Sequence, residues 1–427
     1  MSTRPAHILG MNARYKFTKL NKPSAKRYGF SKLRTKELLA EHNIPTAKIY
    51  HVFESVDDIE EVNWSNIPVP FVIKPASGSA GKGIWVITER VKDKLEWKNH
   101  EGEIITEADL NFHVTNILDG EFSTWGDQHR AMIEEMITAH PSIAKYSYSG
   151  TPDIRVVVFN SVPVMAMTRI PTKESGGRAN LDKGAIALGI DMATGITTTG
   201  IYGKSEQITH FPGSKKKVNG IRIPNWEKSL EIAVKAANAA GYHFMGADIF
   251  ISGEHGPLVV ELNGFPGLSI QLANRAGLKR RLERVEGLDV RDAQHGVKIA
   301  QALFAEHFAD QIRAEEGLTI IPFRPTISVF GDNHARESVE ALVNTGRIRS
   351  AISEKLAEKL GLVDFDDLLW QQKEKIEGKV PVVEVSFKLK GRKVDTAMIV
   401  TKRLDRTKYK VELGRNDTPG FLVGSEE

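Results

Sequence analysis

The segment Val259-Val260-Glu261-Leu262-Asn263-Gly264-Phe265-Pro266-Gly267-Leu268 constrains this chain more than any other. It follows Gly246-Ala247-Asp248-Ile249-Phe250 by a hairpin's worth of residues. Ala247, Ile249 and Ile251 alternate, and Leu258-Val259-Val260 runs into Glu261, so both stretches read as apolar strands. Glu261 and Asn263 are two residues apart and share a face of their strand. Asp248 on the neighbouring strand can join them. Magnesium prefers one or two carboxylates plus phosphate oxygens. The expectation is therefore a metal held on a nucleotide rather than in a closed structural cage.

A chain of 427 residues has room for two or three domains. It has no cysteine, which excludes disulfides, thiolate zinc sites, iron–sulfur clusters and a cysteine nucleophile. No apolar run approaches the ~20 residues of a membrane span, and no signal-peptide core is visible. Cytoplasm is the expected compartment. The net charge of +4 is uneven, because residues 1–36 hold ten Lys or Arg and no acid. That reads either as a solvated basic arm or as a contact for phosphate or an acidic partner. No recognition motif accompanies the charge, so nucleic acid is not the expected partner.

Ser31 to Ala40 reads as an amphipathic helix with Ser31 as its N-cap. Phe71-Val72-Ile73-Lys74 and Ile84-Trp85-Val86-Ile87 read as strands. Residues 104–119 look helical. Ala131 to Ile137 reads as a strand, and 154–159 with 162–170 as a hairpin about Asn160-Ser161. Helices are expected over 226–240, 269–284 and 290–315. From Ile320 the texture changes to short strands with one helix near 350–360. Strands are expected over 382–388, 393–400 and 408–413, with a turn at Lys390-Gly391-Arg392. A domain boundary is placed near 316–322.

Between the first two strands lies Ser77-Gly78-Ser79-Ala80-Gly81-Lys82-Gly83, whose glycines let backbone N–H groups approach an anion. It is not a P-loop, since the spacing is wrong and no helix follows. Lys74 ends the preceding strand, as a snorkelling edge residue or a phosphate ligand. Asp153-Ile154-Arg155, Arg169 and Arg178-Ala179-Asn180-Leu181-Asp182-Lys183 follow in order. Each reads singly as surface charge. Together with the acidic triad they would neutralise a triphosphate and a developing acyl phosphate.

Lys32, Lys74, the Gly-rich loop, Glu134-Glu135-Met136-Ile137, Asp153-x-Arg155, Arg178-x-Asn180 and Asp248…Glu261-x-Asn263 stand in the order and spacing of an ATP-grasp ligase. The tracts Lys-Leu-Arg-Thr-Lys-Glu-Leu-Leu and Glu-Leu-Asn-Gly-Phe-Pro-Gly-Leu resemble the RimK-like ribosomal-protein glutamate ligases over roughly residues 30–285. The resemblance implies an α+β ATP-grasp fold, two subdomains gripping ATP, over 31–316, preceded by a basic arm over 1–30. It implies that Lys32 and Lys74 contact ATP phosphates and that Gly78, Ser79, Gly81 and Gly83 belong to a lid over them. Glu135 and Met136 would form the adenine hinge beside Glu134. Asp153 would face the ribose, with Arg155 and Lys183 also on the nucleotide. Arg169, Arg178 and Asn180 would hold the transferring phosphoryl group or acyl phosphate. Asp248, Glu261 and Asn263 would bind two Mg2+ ions, with Mn2+ an acceptable replacement. The implied reaction joins a carboxylate to an amine, through an acyl phosphate, with an amino acid and a peptide or protein carboxylate as substrates. Such ligases carry a sizeable α/β domain before the lysine helix, and here about 30 residues precede Ser31. The arm, a second copy of the chain, a partner protein or the C-terminal domain would complete the substrate site.

Leu342-Val343-Asn344-Thr345-Gly346 and the later Val411-Glu412-Leu413-Gly414-Arg415-Asn416-Asp417 resemble the two motifs of retropepsin-like aspartic proteases, nearest to the bacterial proteins labelled ATP-dependent zinc proteases. The resemblance implies a mainly-β domain over 320–427. Asn344 stands where the aspartate would be, and no His-Glu-x-x-His zinc motif is present. An amide cannot share the proton that aspartic proteolysis requires, so no peptidase activity is expected. Two other readings are a nucleotide-sensing, peptide-binding module without turnover, and a C-terminal domain that presents a peptide carboxylate to the ligase.

Overall fold

The computed structural model describes residues 5–77, 82–92, 94–122, 129–304, 319–332, 335–363, 370–374, 378–418 and 421–424. Its first sheet contains β1 (Ile49–Phe53), β2 (Phe71–Pro75), β3 (Trp85–Arg90), β4 (Glu96–Asn99), β5 (Ile104–Thr106) and β6 (Ala131–Glu135), in the order β1-β6-β2-β3-β4-β5. Side chains alternate across it. Phe53, Phe71, Ile73, Ala131 and Ile133 form one core with Leu110, Val114 and Ile117 of helix Glu107–Leu118. The expected helix over 104–119 thus begins later, because Ile104–Thr106 pairs with β4 and Thr106 closes a capping box with Asp109. On the reverse face, Met132 packs with Leu33 of helix Lys32–Glu41.

The second sheet holds β7 (Asp153–Phe159), β8 (Val162–Ile170), β9 (Ile186–Ile190), β10 (Thr197–Tyr202), β11 (Glu206–Ile208), β12 (Phe244–Ser252) and β13 (Gly256–Asn263). Its order is β11-β10-β9-β8-β7-β12-β13. The turn between β7 and β8 places Asn160 and Ser161 at φ 51° and 60°, the left-handed pair a tight hairpin requires. Helix Trp226–Ala240 lays Leu230, Ala233, Val234 and Ala237 into the core shared with Val156, Val158, Phe244 and Ile249. The expected helix over 269–284 is two helices, Ile270–Asn274 and Leu278–Val285, divided where Arg275 takes φ 48°. Near the junction of the sheets, Val259 N–H donates to Pro45 O and His140 N–H to Ile251 O.

Residues 5–30 do not form a solvated arm. Helix Met11–Thr18 lays Phe17 edge-on against Phe159, ring centroids 5.4 Å apart, and beside Phe244 at 6.0 Å. Asn21 bonds the backbone of His243 and Phe244. Leu9, Phe17 and Ala25 belong to the second sheet's core, and Arg14 is buried with its Nη1 donating to Pro266 O at 2.7 Å.

The C-terminal strands are β14 (Leu288–Asp289), β15 (Thr319–Ile321), β16 (Thr326–Phe330), β17 (Arg336–Val343), β18 (Ala351–Ser353), β19 (Trp370–Glu374), β20 (Gly378–Leu389), β21 (Arg392–Thr401), β22 (Val411–Leu413) and β23 (Phe421–Val423). The path β20-β16-β17-β22-β18-β21 closes on itself through the β20–β21 pairing, which makes a barrel. Lys390 and Gly391 turn at φ 47° and 82°. Near residues 350–360 the helix is Glu354–Lys359, after β18. Helix Ala293–Leu303 ends before residues 305–318, so the rest of the helix expected over 290–315 and residues 316–318 of the expected boundary lie outside the described residues. The barrel is not insulated from the second sheet: Val380, Val382, Ala397 and Ile399 share a core with Leu282 and Val285.

If residues 5–30 are structural, Phe17→Ala removes a buried ring and costs about 3–5 kcal/mol in urea unfolding. Exposed Lys16→Ala stays within about 0.5 kcal/mol. Equal, small effects of both would restore the solvated arm.

Candidate active site

Two buried charge clusters stand out. The first joins the lysine helix to the first sheet. Ser31 Oγ caps helix Lys32–Glu41 at Arg34 N–H, and Lys32 N–H donates to Ala76 O at 2.9 Å. One turn on, Lys36 is 2% exposed. Its Nζ lies 2.9 Å from Glu134 Oε2, donates to Ala47 O at 2.9 Å and reaches Thr46 Oγ1 at 3.2 Å. Lys74, also buried, bonds the other oxygen of Glu134. Burial pushes the Lys36 ammonium down, and Glu134 partly offsets it. Burial opposes charge on Glu134 too, yet Lys74 and Lys36 hold its carboxyl below the usual carboxylate range. With all three groups ionised, two lysines against one carboxylate leave one positive charge in excess.

Sequence reading missed Lys36. Its signal was a lysine interrupting the apolar stripe Leu33, Lys36, Leu39 of an amphipathic helix.

The second cluster spans four adjacent strands. Register pairs Arg169 of β8 with Asp153 of β7, Arg155 of β7 with Asp248 of β12, and Asp248 with Glu261 of β13. Arg155 grips Asp248 with two bonds, Nε to Oδ1 at 2.6 Å and Nη2 to Oδ2 at 2.5 Å. Arg169 Nε donates to Asp153 Oδ1 at 2.7 Å, and its Nη2 bonds Asp153 Oδ2 and reaches Asp248 Oδ2 at 2.8 Å. Burial would raise both carboxyls. Arg155 and Arg169 hold Asp248 down at about 2. Asp153 has Arg169 but lies beside a second carboxylate, and is pushed up to about 6.

The Asp248–Glu261 pairing depends on a β-bulge. Ile249 pairs with Val259, whereas Asp248 pairs with Glu261, so Val260 is an extra residue. Without it Asp248 would face Val260, and Glu261 would point to the opposite side of the sheet. Past the bulge, Asn263 lies opposite Gly246, with its Oδ1 accepting from Phe265 N–H at 2.9 Å. Asp248, Glu261 and Asn263 therefore do share a face, for a reason alternation alone does not provide. Among the described residues no group of three or more His, Cys, Asp or Glu is arranged to hold a metal by itself. Two carboxylates and an amide on one face are a different, open donor set.

The other expected site residues are more dispersed. Gly78, Ser79 and Gly81 lie outside the described residues. Gly83 closes that loop at φ 68° and its carbonyl is bonded by the His113 ring at 3.1 Å. Burial pushes His113 down to about 4, and its ring stacks on Trp85 at 4.1 Å. Glu135 bonds His255 at 2.7 Å, at the junction of the two sheets. Met136 N–H reaches Pro70 O at 3.4 Å. Arg178 and Lys183 are exposed. Asn180 Oδ1 caps the short turn Leu181–Lys183 by accepting from Asp182 N–H. These three are not joined to either buried cluster by any bond described above.

A family model described as "Sugar-transfer associated ATP-grasp" matches residues 10–287. Alpha-aminoadipate--LysW ligase LysX of Saccharolobus solfataricus is 26% identical over 237 residues, which is 55% of this chain and 62% of that protein. The chain thus spans less than two thirds of the length of this curated relative. Among solved structures, ATP-grasp ligase PsnB complexed with minimal precursor overlaps 58% of this chain and 56% of its own, at 15% identity and a TM-score of 0.31. VanG D-Ala:D-Ser ligase from Enterococcus faecalis overlaps 66% and 64%, at 14% identity and a TM-score of 0.34. Overlaps this shallow add nothing to the geometry.

Replacing Glu134 with Gln strands two buried lysines and costs about 3–5 kcal/mol near neutral pH. Because the folded carboxyl titrates below its unfolded value, its contribution is present above about pH 4.3 and lost as pH falls through the folded pKa. Urea unfolding of both proteins from pH 7 to pH 3 should show the gap narrowing at the acid end. A gap independent of pH would contradict the ion-pair account.

Proposed function

This chain belongs to the sugar-transfer associated ATP-grasp family, and we propose from that membership and its two charge clusters that it is an ATP-dependent carboxylate–amine ligase. The observation that carries the reading is the pairing of Asp248 with Glu261 across the bulge, in line with Arg155 and Arg169. The donor set fits Mg2+, which would be held by Asp248, Glu261 and Asn263 and would neutralise phosphate oxygens. On this reading Lys74 and Lys32 bind the phosphates, while Lys36 holds Glu134 and through it fixes the Lys74 ammonium. Glu135 and Met136 flank the base at the junction of the sheets, and Gly83 ends the loop over the phosphates.

A carboxylate is a poor electrophile. Attack of a carboxylate oxygen on the γ-phosphorus releases ADP and leaves an acyl phosphate; an amine then displaces inorganic phosphate and forms the amide. The protein's part is positioning and charge neutralisation. Arg169 and Arg155, already beside Asp248, supply positive charge where the phosphoryl group would pass. Arg178 and Asn180 lie between β8 and β9 and would hold the transferring phosphoryl group, as the resemblance implies. An amino acid such as glutamate and a peptide or protein carboxylate are the proposed substrates, as the RimK-like resemblance implies. No helix among the described residues is long and apolar enough to cross a membrane.

We read the barrel as retropepsin-like and without peptidase chemistry. Asn344 Oδ1 accepts from Gly346 N–H at 3.1 Å, and Asn344 N–H donates to Leu413 O at 2.9 Å, so the residue works as a turn former. Its presenting a peptide to the ligase finds no support in the docking contacts. Arg349 bonds Arg284 O, and Asn160, at the turn of the β7–β8 hairpin, bonds Val285 O and Leu288 O. That end of β7 lies roughly 20 Å from Asp153, at ~3.3 Å per residue.

The test is ADP release with Mg2+ across amino acids, dipeptides and short acidic peptides, with mass spectrometry of the products. The expected result is ADP together with a product equal to the two substrates less water. Glu261→Ala and Lys74→Ala should each lower the rate by at least about 100-fold, roughly 2.7 kcal/mol in the barrier, with the fold intact. Full activity in either variant refutes the reading. Mg2+-dependent ATP binding with no turnover on any pair would favour a nucleotide sensor.

A further inference from the structure

Gly29 and Gly264 are glycines without a left-handed backbone to explain them. The reason is one side chain. A Cβ on Gly264 would lie 2.6 Å from Cε1 and 3.1 Å from Oη of Tyr242, and a Cβ on Gly29 would lie 2.9 Å from the same Oη. Tyr242 is 5% exposed and part of the second sheet's core, so its ring cannot swing aside. The Gly29 Cβ position is also 3.6 Å from Leu262 O and 3.8 Å from Gly264 N. Three segments therefore meet at this phenol: the short helix Lys26–Phe30 before the lysine helix, the end of β13 just past Asn263, and Tyr242 itself.

Tyr242 is aimed there by the end of helix Trp226–Ala240. Gly241 takes φ 75°, and Tyr242 N–H returns to Ala237 O at 2.9 Å. The same turn gathers the incoming chain, since Lys22 N–H donates to Gly241 O and Asn21 binds His243 and Phe244. The backbone of Gly29 hydrogen-bonds the phenol, and burial pushes Tyr242 up to about 12, so it stays a neutral phenol. Three residues after Gly29 comes Lys32, and one residue before Gly264 comes Asn263.

We propose that Tyr242 is a positioning residue: wedged between Gly29 and Gly264, it sets the separation between the helix that carries Lys32 and Lys36 and the strand that carries Glu261 and Asn263. This rests on the reading above, in which the helix serves the phosphates and the strand serves the metal. Tyr242 touches neither ligand. Its effect is to make phosphate and metal binding cooperative, because both halves are referred to one rigid ring.

The test is a double-mutant cycle read by the Mg2+ dependence of ATP binding in calorimetry, with thermal unfolding alongside. Gly264→Ala is expected to raise the Mg2+ concentration needed for half-maximal binding by at least about tenfold. In a Tyr242→Ala background, where the added methyl finds space, the same change should shift it less than about twofold. Tyr242→Phe keeps the ring against Gly264 but loses the Oη that meets Gly29, so in that background Gly264→Ala should still raise the Mg2+ requirement. An equal shift from Gly264→Ala in the wild-type and Tyr242→Ala backgrounds, or a lowered Tm with unchanged Mg2+ dependence, overturns the proposal. Hydrogen exchange without nucleotide is a second readout. Tyr242→Ala should speed exchange at residues 29–36 and 262–265 together, and acceleration at one segment alone counts against it. Wild type that binds Mg2+ and ATP but releases no ADP overturns the ligase reading and leaves Tyr242's role standing; wild type that does not bind them overturns both.

Discussion

The carboxylate of Asp248 is the point on which the second sheet's chemistry turns. It is buried, and buried carboxylates are costly unless paired. Two arginines pair it from one side of β12, and the bulge at Val260 brings Glu261 to it from the other. The bulge spends one residue of ladder pairing, and in return places two acids and an asparagine on the face that already carries Arg155 and Arg169. Were Val260 paired with Asp248 in a regular ladder, the strand would still form, but Glu261 would face the other side of the sheet.

The first sheet solves a complementary problem with the same device of charge in a confined place. Lys36 and Lys74 flank Glu134, and the group is net positive. The second cluster, with Glu261 included, is net negative once all its acids ionise. A polyphosphate with a divalent cation matches that division: phosphate toward the lysines, cation toward the acids. The sheets meet near Glu135 and His255, and the lysine helix reaches toward the end of β13 through Gly29 and Gly264. The geometry of one cluster relative to the other is therefore set at Tyr242, against two glycines that leave no room for a further side chain.

Much of this was legible in the chain. Motif order gave the ATP-grasp architecture, and the acid spacing gave a shared face for Glu261 and Asn263. The turns at Asn160-Ser161 and Lys390-Gly391 were legible through Asn160 and Gly391, which accept positive φ readily. The bulge was not legible, because Val259-Val260 reads the same whether the register slips or not. Lys36 escaped because a buried lysine looks like an exposed one until its carboxylate partner, ninety-eight residues away in sequence, is brought alongside. The N-terminal segment misled through composition: ten basic residues suggested a solvated arm, while Phe17 and Asn21 anchor it to the second sheet. The paired helices over 270–285 depended on the backbone of Arg275, which propensity does not forecast.

The central claim is that Asp248, Glu261 and Asn263 hold a divalent cation against the phosphates of a nucleotide. Crystals grown with ADP and Mn2+, measured for anomalous scattering, test it most directly. The account predicts at least one anomalous peak bonded to Glu261 and bridging to the nucleotide's phosphates, with Arg155 no longer spanning both oxygens of Asp248. Bound ADP with its cation coordinated elsewhere, and Glu261 left in contact with solvent alone, would contradict it.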